Sequence, residues 1–153
     1  MNTQIELLIR ENKCVSSISR FYAKLTKFLH SEDDFNLVYY ALFMEGEQTQ
    51  KQISEGYSIP PQTVNNIVLS MKKKGFVTLE ENQNDKRSKM IKFTKNGFKF
   101  AEKQIESIVS FEKKAISRMG LENYKKMIEL QELLLTSMKE EQNEFLEKFE
   151  NPL

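Results

Sequence analysis

The sequence predicts a mainly α-helical chain with one small β-hairpin set between long helices at both ends. Three observations predict it. Apolar residues recur at helical spacing along most of the chain, and two short β-prone runs bracket a charged loop around Asp85. The 153 residues include only five glycines and three prolines, too few turn residues for a many-stranded β fold. At 39% hydrophobic and 29% charged residues, the chain is large enough to bury a core without disulfides or metal.

The elements follow in order. Leu8, Val15, Tyr22 and Leu29 run beside Leu7, Cys14, Ile18, Phe21 and Leu25, a broad apolar face on one long helix from about 3 to 29. The polar cluster His30 to Asp34 interrupts it, and Asp33 or Asp34 has the chemistry to cap the next helix, Phe35 to about Glu45. That helix is apolar nearly all round, which places it centrally, and Gly46 ends it. Thr49 is an N-cap for a short helix that closes near Gly56. After the turn Tyr57-Ser58-Ile59, Pro60-Pro61 opens a helix, because proline is accepted where a first-turn N–H needs no partner. Its residues Val64, Ile67, Val68 and Met71 form one stripe, and Gly75 stops it. Phe76 to Leu79 and Met90 to Thr94 read as two strands around the polar loop 80–89. Thr94 caps a helix of about 95–118, Gly120 breaks it, and a last helix spans about 121–149.

Composition excludes several classes. One cysteine and one histidine rule out a disulfide framework and a multi-ligand zinc site, so no metal is expected. No run of about 20 apolar residues predicts a membrane span, and the polar N-terminus is unlike a signal peptide, so a cytoplasmic location is expected. No nucleophile elbow or phosphate-cradling glycine loop accompanies His30, so neither an enzyme nor a cofactor is expected. The net charge of +1 conceals an asymmetry: residues 48–99 hold ten basic and four acidic residues, the remainder thirteen and eighteen. A basic centre between acidic ends is the electrostatic footprint of a nucleic-acid module.

Taken together, the elements describe a winged helix-turn-helix flanked by long N- and C-terminal dimerisation helices. The expected division is 1–30 and 118–153 for dimerisation and 31–117 for DNA binding, with a recognition helix at about 60–74 and a wing at about 76–94. The run Asp85-Lys86-Arg87-Ser88-Lys89-Met90-Ile91-Lys92-Phe93-Thr94-Lys95-Asn96-Gly97 resembles the wing signature of the MarR family of transcriptional regulators, Asp-x-Arg-Ser/Ala followed by Leu-Thr and a nearby Gly. The stretch Thr63 to Ile67 through Met71 to Val77 is similar to that family's recognition-helix pattern. The resemblance covers about residues 30–100 by motif and the rest by helix layout. Pro60 stands where the family usually has a Ser or Thr cap, Ser58 where a turn Gly is common, and Thr78-Leu79-Glu80 where an Arg is frequent.

With the apolar stripe buried, the opposite face of the recognition helix carries Gln62, Asn66, Leu69, Ser70 and Lys73, with Thr63 and Asn65 on its flanks. Such a helix reads the major groove with its N-terminal part, which makes Gln62, Thr63, Asn65 and Asn66 the candidate readers. Leu69 is either a thymine-methyl contact or an isolated surface leucine. Lys72, Lys73 and Lys74 suit phosphates, and they equally suit the negative end of a helix. Arg87 at the tip of a projecting hairpin fits a narrow minor groove, Asp85 is placed to brace its guanidinium, and Lys86, Ser88 and Lys89 complete the wing site.

Long apolar terminal helices imply a twofold homodimer on palindromic double-stranded DNA, with an intrachain helical hairpin as the alternative. The family resemblance implies release by a small aromatic effector, for which Phe21, Tyr22, Tyr39, Tyr40 and Phe43 are pocket candidates and, individually, ordinary core aromatics otherwise. It also implies a second trigger in some members, a first-helix cysteine, for which Cys14 is the candidate. A regulator of this kind is expected to repress. The competing class is a winged-helix protein-interaction module that does not bind DNA specifically.

Overall fold

The computed structural model describes residues 2–28 and 33–150. The elements are α1 (Thr3–Phe28), α2 (Asp33–Glu45), β1 (Gln48–Thr49), α3 (Gln50–Tyr57), α4 (Pro61–Lys73), β2 (Val77–Glu81), β3 (Lys89–Phe93), α5 (Lys95–Met119) and α6 (Leu121–Glu150). His30, Leu29 and the side chains of Asp33 and Asp34 expected to cap α2 lie outside what is described. The chain divides into two units, Met1–Ser107 and Ile108–Leu153, the boundary falling within α5.

The first unit holds the core. The α4 stripe is buried as its spacing requires: Val64, Val68 and Met71 are fully enclosed and Ile67 nearly so. The rest of the buried core is Val38, Tyr39, Ala41 and Leu42 of α2, Ile53 of α3, Ile59 of the turn, Val77 of β2, Ile91 of β3, and Ala101 and Ile105 of α5. α2 is less central than its composition suggests, because Leu37 and Met44 are exposed. Gly46, Gly75 and Gly120, which end α2, α4 and α5, all have positive φ.

The sheet has three antiparallel strands in the order β1-β3-β2, where the sequence suggested two. β3 is central, with Ile91 opposite Gln48 on one side and Leu79 on the other. β1 has only two residues, yet it anchors the sheet to α2, because the buried Gln48 side chain donates to the Ala41 carbonyl at 3.3 Å. Thr49 then caps α3 as expected, and Gln52 completes a capping box with it. On the outer face Lys92 bridges Glu80 (2.8 Å) and Glu47 (3.1 Å), tying the central strand to both sides of the sheet. Hydrogen bonding by Glu80, and then by Glu47, holds the Lys92 ammonium above the usual lysine range. Tyr57, at the end of α3, donates to the Glu45 carboxylate at the end of α2, and burial together with that bond pushes its phenol upward.

The turn between α3 and α4 is held by Ser54. Its carbonyl accepts the Ile59 N–H at 3.1 Å and its hydroxyl donates to the Ile59 carbonyl at 2.7 Å. Ser58 between them adopts left-handed backbone, φ 53°. A non-glycine residue there carries roughly 1–2 kcal/mol of strain. Ser58→Gly is therefore expected to stabilise the chain by about 0.5–1 kcal/mol, the greater freedom of glycine in the unfolded state offsetting the rest. A urea-unfolding midpoint checks this, and a lower midpoint for the variant refutes it.

Candidate nucleic-acid interface

α4 presents the expected face. Gln62, Asn66, Leu69 and Lys73 are exposed, while Thr63, Asn65 and Ser70 are half-buried. Pro60 occupies the N-cap with no side-chain hydrogen bond, and Pro61 begins the helix, so the first turn of α4 lacks both a side-chain cap and one N–H. The amides along this face are tied together. Gln62 Nε2 donates to Asn66 Oδ1 at 3.0 Å, and Gln50 Nε2 donates across the two helices to Asn65 Oδ1 at 3.4 Å. Gln50 was not among the residues singled out from sequence. It lies fifteen positions from Asn65, and only the crossing of α3 and α4 brings the pair together. At the far end Lys72 and Lys73 in the last turn, and Lys74 at the C-cap, are exposed.

The wing tip is a built loop. Asn82 Nδ2 donates to Ser88 Oγ (2.9 Å), the Asn82 carbonyl accepts the Asp85 N–H (3.2 Å), and the Asp85 carbonyl accepts the Ser88 N–H (3.0 Å). Asp85 Oδ1 accepts the Arg87 backbone N–H at 3.0 Å. Here the expected guanidinium brace is corrected: among the described residues no ion pair joins Asp85 to the Arg87 side chain, and the carboxylate shapes the backbone instead. A side chain that closes a turn onto the N–H two residues ahead satisfies its charge locally. Ser88 is likewise engaged in the loop, its hydroxyl donating to the Asp85 carbonyl at 3.0 Å. Asn82 is the contributor missed from sequence.

The cations sort by partner. Lys92 is neutralised by Glu80 and Glu47, and Lys51 sits 3.8 Å from Glu55. Lys72, Lys73, Lys86, Arg87 and Lys89 form no ion pair among the described residues, and all five are exposed.

The wing is fixed to the end of α4 by one joint. Thr94 closes the hairpin by donating its N–H to the Phe76 carbonyl (2.9 Å). Its hydroxyl donates to the Gly75 carbonyl (2.7 Å) and accepts the Gly97 N–H (3.1 Å), capping α5 as expected. Gly97 lies directly on the Phe76 backbone.

The aromatic candidates separate. Tyr39 is buried, stacks with Phe93 at a ring distance of 6.1 Å and meets Phe100 at a tilt at 5.5 Å, which marks it as a core residue. Phe43 stacks on Phe98 at 5.2 Å, and Tyr40 meets Tyr57 edge-on at 6.5 Å. Phe21 and Tyr22 form an edge-to-face pair on α1, each 38% exposed. Cys14, on the same helix, is exposed rather than enclosed in apolar surroundings. Among the described residues no group of His, Cys, Asp or Glu could hold a metal, and no helix is long and apolar enough to cross a membrane.

Comparison with known proteins agrees with this geometry. A family model described as the sugar-specific transcriptional regulator TrmB matches residues 32–94, from α2 through the wing. No curated protein matches significantly. Among solved structures, a MarR family regulator from Neisseria meningitidis is 24% identical, with a TM-score of 0.77 over 94% of this chain and 99% of its own. Overoxidized AbfR bound to DNA is 25% identical, with a TM-score of 0.64 over 90% of this chain and 98% of its own. NadR in complex with 4-hydroxyphenylacetate is 19% identical, with a TM-score of 0.65 over 91% of this chain and 94% of its own. The likeness read from the wing and recognition-helix motifs thus extends along nearly the whole chain: this is a winged helix-turn-helix protein with the fold of the MarR family of transcriptional regulators.

Proposed function

We propose that the chain is a cytoplasmic DNA-binding transcriptional regulator, a repressor that grips palindromic duplex DNA as a homodimer. One observation carries this reading: the exposed amide row of α4 ends in a lysine triplet, and the same unit holds an internally braced loop that presents Arg87 between Lys86 and Lys89. Polar readers followed by cations are the order that major-groove docking needs, and a rigid basic tip suits a minor groove or its phosphates. A protein-interaction module would have no evident use for Lys72, Lys73, Lys86, Arg87 and Lys89, exposed cations that form no ion pair among the described residues.

The dimer rests on apolar faces that one chain leaves in water. α1 exposes Ile5, Leu8, Val15 and Ile18, and α6 exposes Leu130, Leu133, Leu134 and Met138. Apolar residues left exposed along each of these two helices are the mark of an interface, and a second copy of the chain is the occupant that would also match a twofold DNA site. Regulation follows the relatives in outline. NadR was solved with an aromatic acid, and exposed Phe21 and Tyr22 are the residues best placed to meet such an effector. Exposed Cys14 offers oxidation as the other trigger.

Salt titration of duplex binding tests the central reading. Six basic residues per subunit on phosphates give a log–log slope on the order of −10 for a dimer, because each neutralised phosphate releases about 0.9 counterions. Sedimentation of the same sample reports the dimer. A shallow slope, near −2, would remove the lysine triplet and the wing from the interface.

A further inference from the structure

The exposed face of α4 also bears on which base pairs are read, an inference that rests on the DNA-binding role above. From Pro61 to Met71 the helix holds no lysine, arginine, aspartate or glutamate. Guanine presents two acceptors to the major groove and is read best by arginine or lysine, while cytosine presents a donor that suits a carboxylate. Neither type of side chain stands on the reading turns. What stands there are amides. Adenine offers one acceptor and one donor side by side, the pattern that an amide matches in full. The two amide–amide bonds, Gln62 to Asn66 and Gln50 to Asn65, use one hydrogen each of Gln62 and Gln50. Gln62 keeps its carbonyl oxygen and its second N–H hydrogen, and Asn66 keeps its amide hydrogens, so donor and acceptor remain available on the presented side.

Leu69 belongs to this row. The other large apolar side chains of α4, Val64, Ile67, Val68 and Met71, are at most 9% exposed, whereas Leu69 is 51% exposed. A lone exposed leucine is ordinary on a protein surface. This one lies one helical turn beyond Asn66 and one before Lys73, inside the face that the helix offers to the groove. The apolar group available in the major groove is the thymine methyl. We propose that Leu69 is a specificity-determining residue that packs on a thymine methyl and that, with Gln62 and Asn66, it restricts the half-site core to A·T pairs.

Selection of duplexes from a random pool by the full-length protein gives the site. Each thymine is then replaced singly by deoxyuridine, which pairs alike and lacks only the methyl. One position in each half-site is expected to be sensitive, with about fourfold weaker binding per half-site and about fifteenfold for both, as one buried methyl implies. Leu69→Ala should lose sensitivity at that position and keep the wild-type response elsewhere, its fold unchanged because the side chain is exposed. Selected sites with G·C pairs at the core, or the same deoxyuridine profile in both proteins, would overturn the inference while leaving DNA binding intact. Failure to enrich or bind any duplex at low salt would overturn the DNA-binding reading itself, and this inference with it.

Discussion

Arg87→Glu is expected to weaken binding to the selected duplex by about a hundredfold or more, with no change in melting temperature. A groove-reading arginine contributes roughly 1–3 kcal/mol, a twofold dimer loses two of them, and each introduced carboxylate adds repulsion from nearby phosphates. Stability should hold because, among the described residues, Arg87 is tied into the wing through its backbone N–H, which any residue but proline supplies to Asp85. Fluorescence anisotropy with a labelled site measures the loss, and equal affinities would dismiss the wing from the interface. Asp85 supplies the control. A guanidinium brace would need the carboxylate charge, whereas the turn observed here needs only an acceptor oxygen. Asp85→Asn should therefore bind DNA at least as well as wild type, while Asp85→Ala, which frees the loop, should bind about tenfold less tightly, the cost of one lost hydrogen bond in each subunit.

The wing also shows what a sequence discloses and what it conceals. Val64, Ile67, Val68 and Met71 announced the buried side of α4, because helical spacing has few other causes, and that alone identified Gln62 and Asn66 as the presented side. Thr49 and Thr94 were legible as caps because capping is local chemistry. β1 was not legible. Gln48 and Thr49 are polar and only two residues long, and they become a strand solely because Ile91 and Met90 lie opposite them. The same holds for Gln50 with Asn65 and for Lys92 between Glu47 and Glu80, where the partners are distant in sequence and no periodicity links them. Lys92 counted as part of the basic centre in the sequence, yet its charge is spent within the sheet. Asp85 marks a subtler limit. The motif fell on an internally hydrogen-bonded loop, but the spacing Asp-x-Arg is equally compatible with a side-chain ion pair and a backbone turn, and only geometry distinguishes them.

Gly97→Ala is expected to be the most damaging of the glycine-to-alanine changes in this fold. A Cβ at position 97 would lie 1.9 Å from the Phe76 carbonyl oxygen, 2.6 Å from its carbon and 2.8 Å from its Cα. All three are backbone atoms, so no side-chain rotation relieves the clash. Relief requires α5 to move off the Phe76 backbone, which breaks the Thr94 bonds to Phe76 and Gly75 and opens the base of the wing. Overpacking alone costs about 1–3 kcal/mol, and with the lost hydrogen bonds the total reaches about 3 kcal/mol or more. Gly56→Ala is the matched control, since nothing lies within 4 Å of its added Cβ and α3 is helical there. That change should be neutral or stabilising by up to about 1 kcal/mol. Thermal unfolding of the two variants separates the effects. If Gly97→Ala melts with wild type, the joint between recognition helix and wing is looser than the contact distances require, and the wing could then swing independently of α4. If it unfolds early, one glycine fixes the angle between the wing that carries Arg87 and the Gln62–Asn66 row of α4.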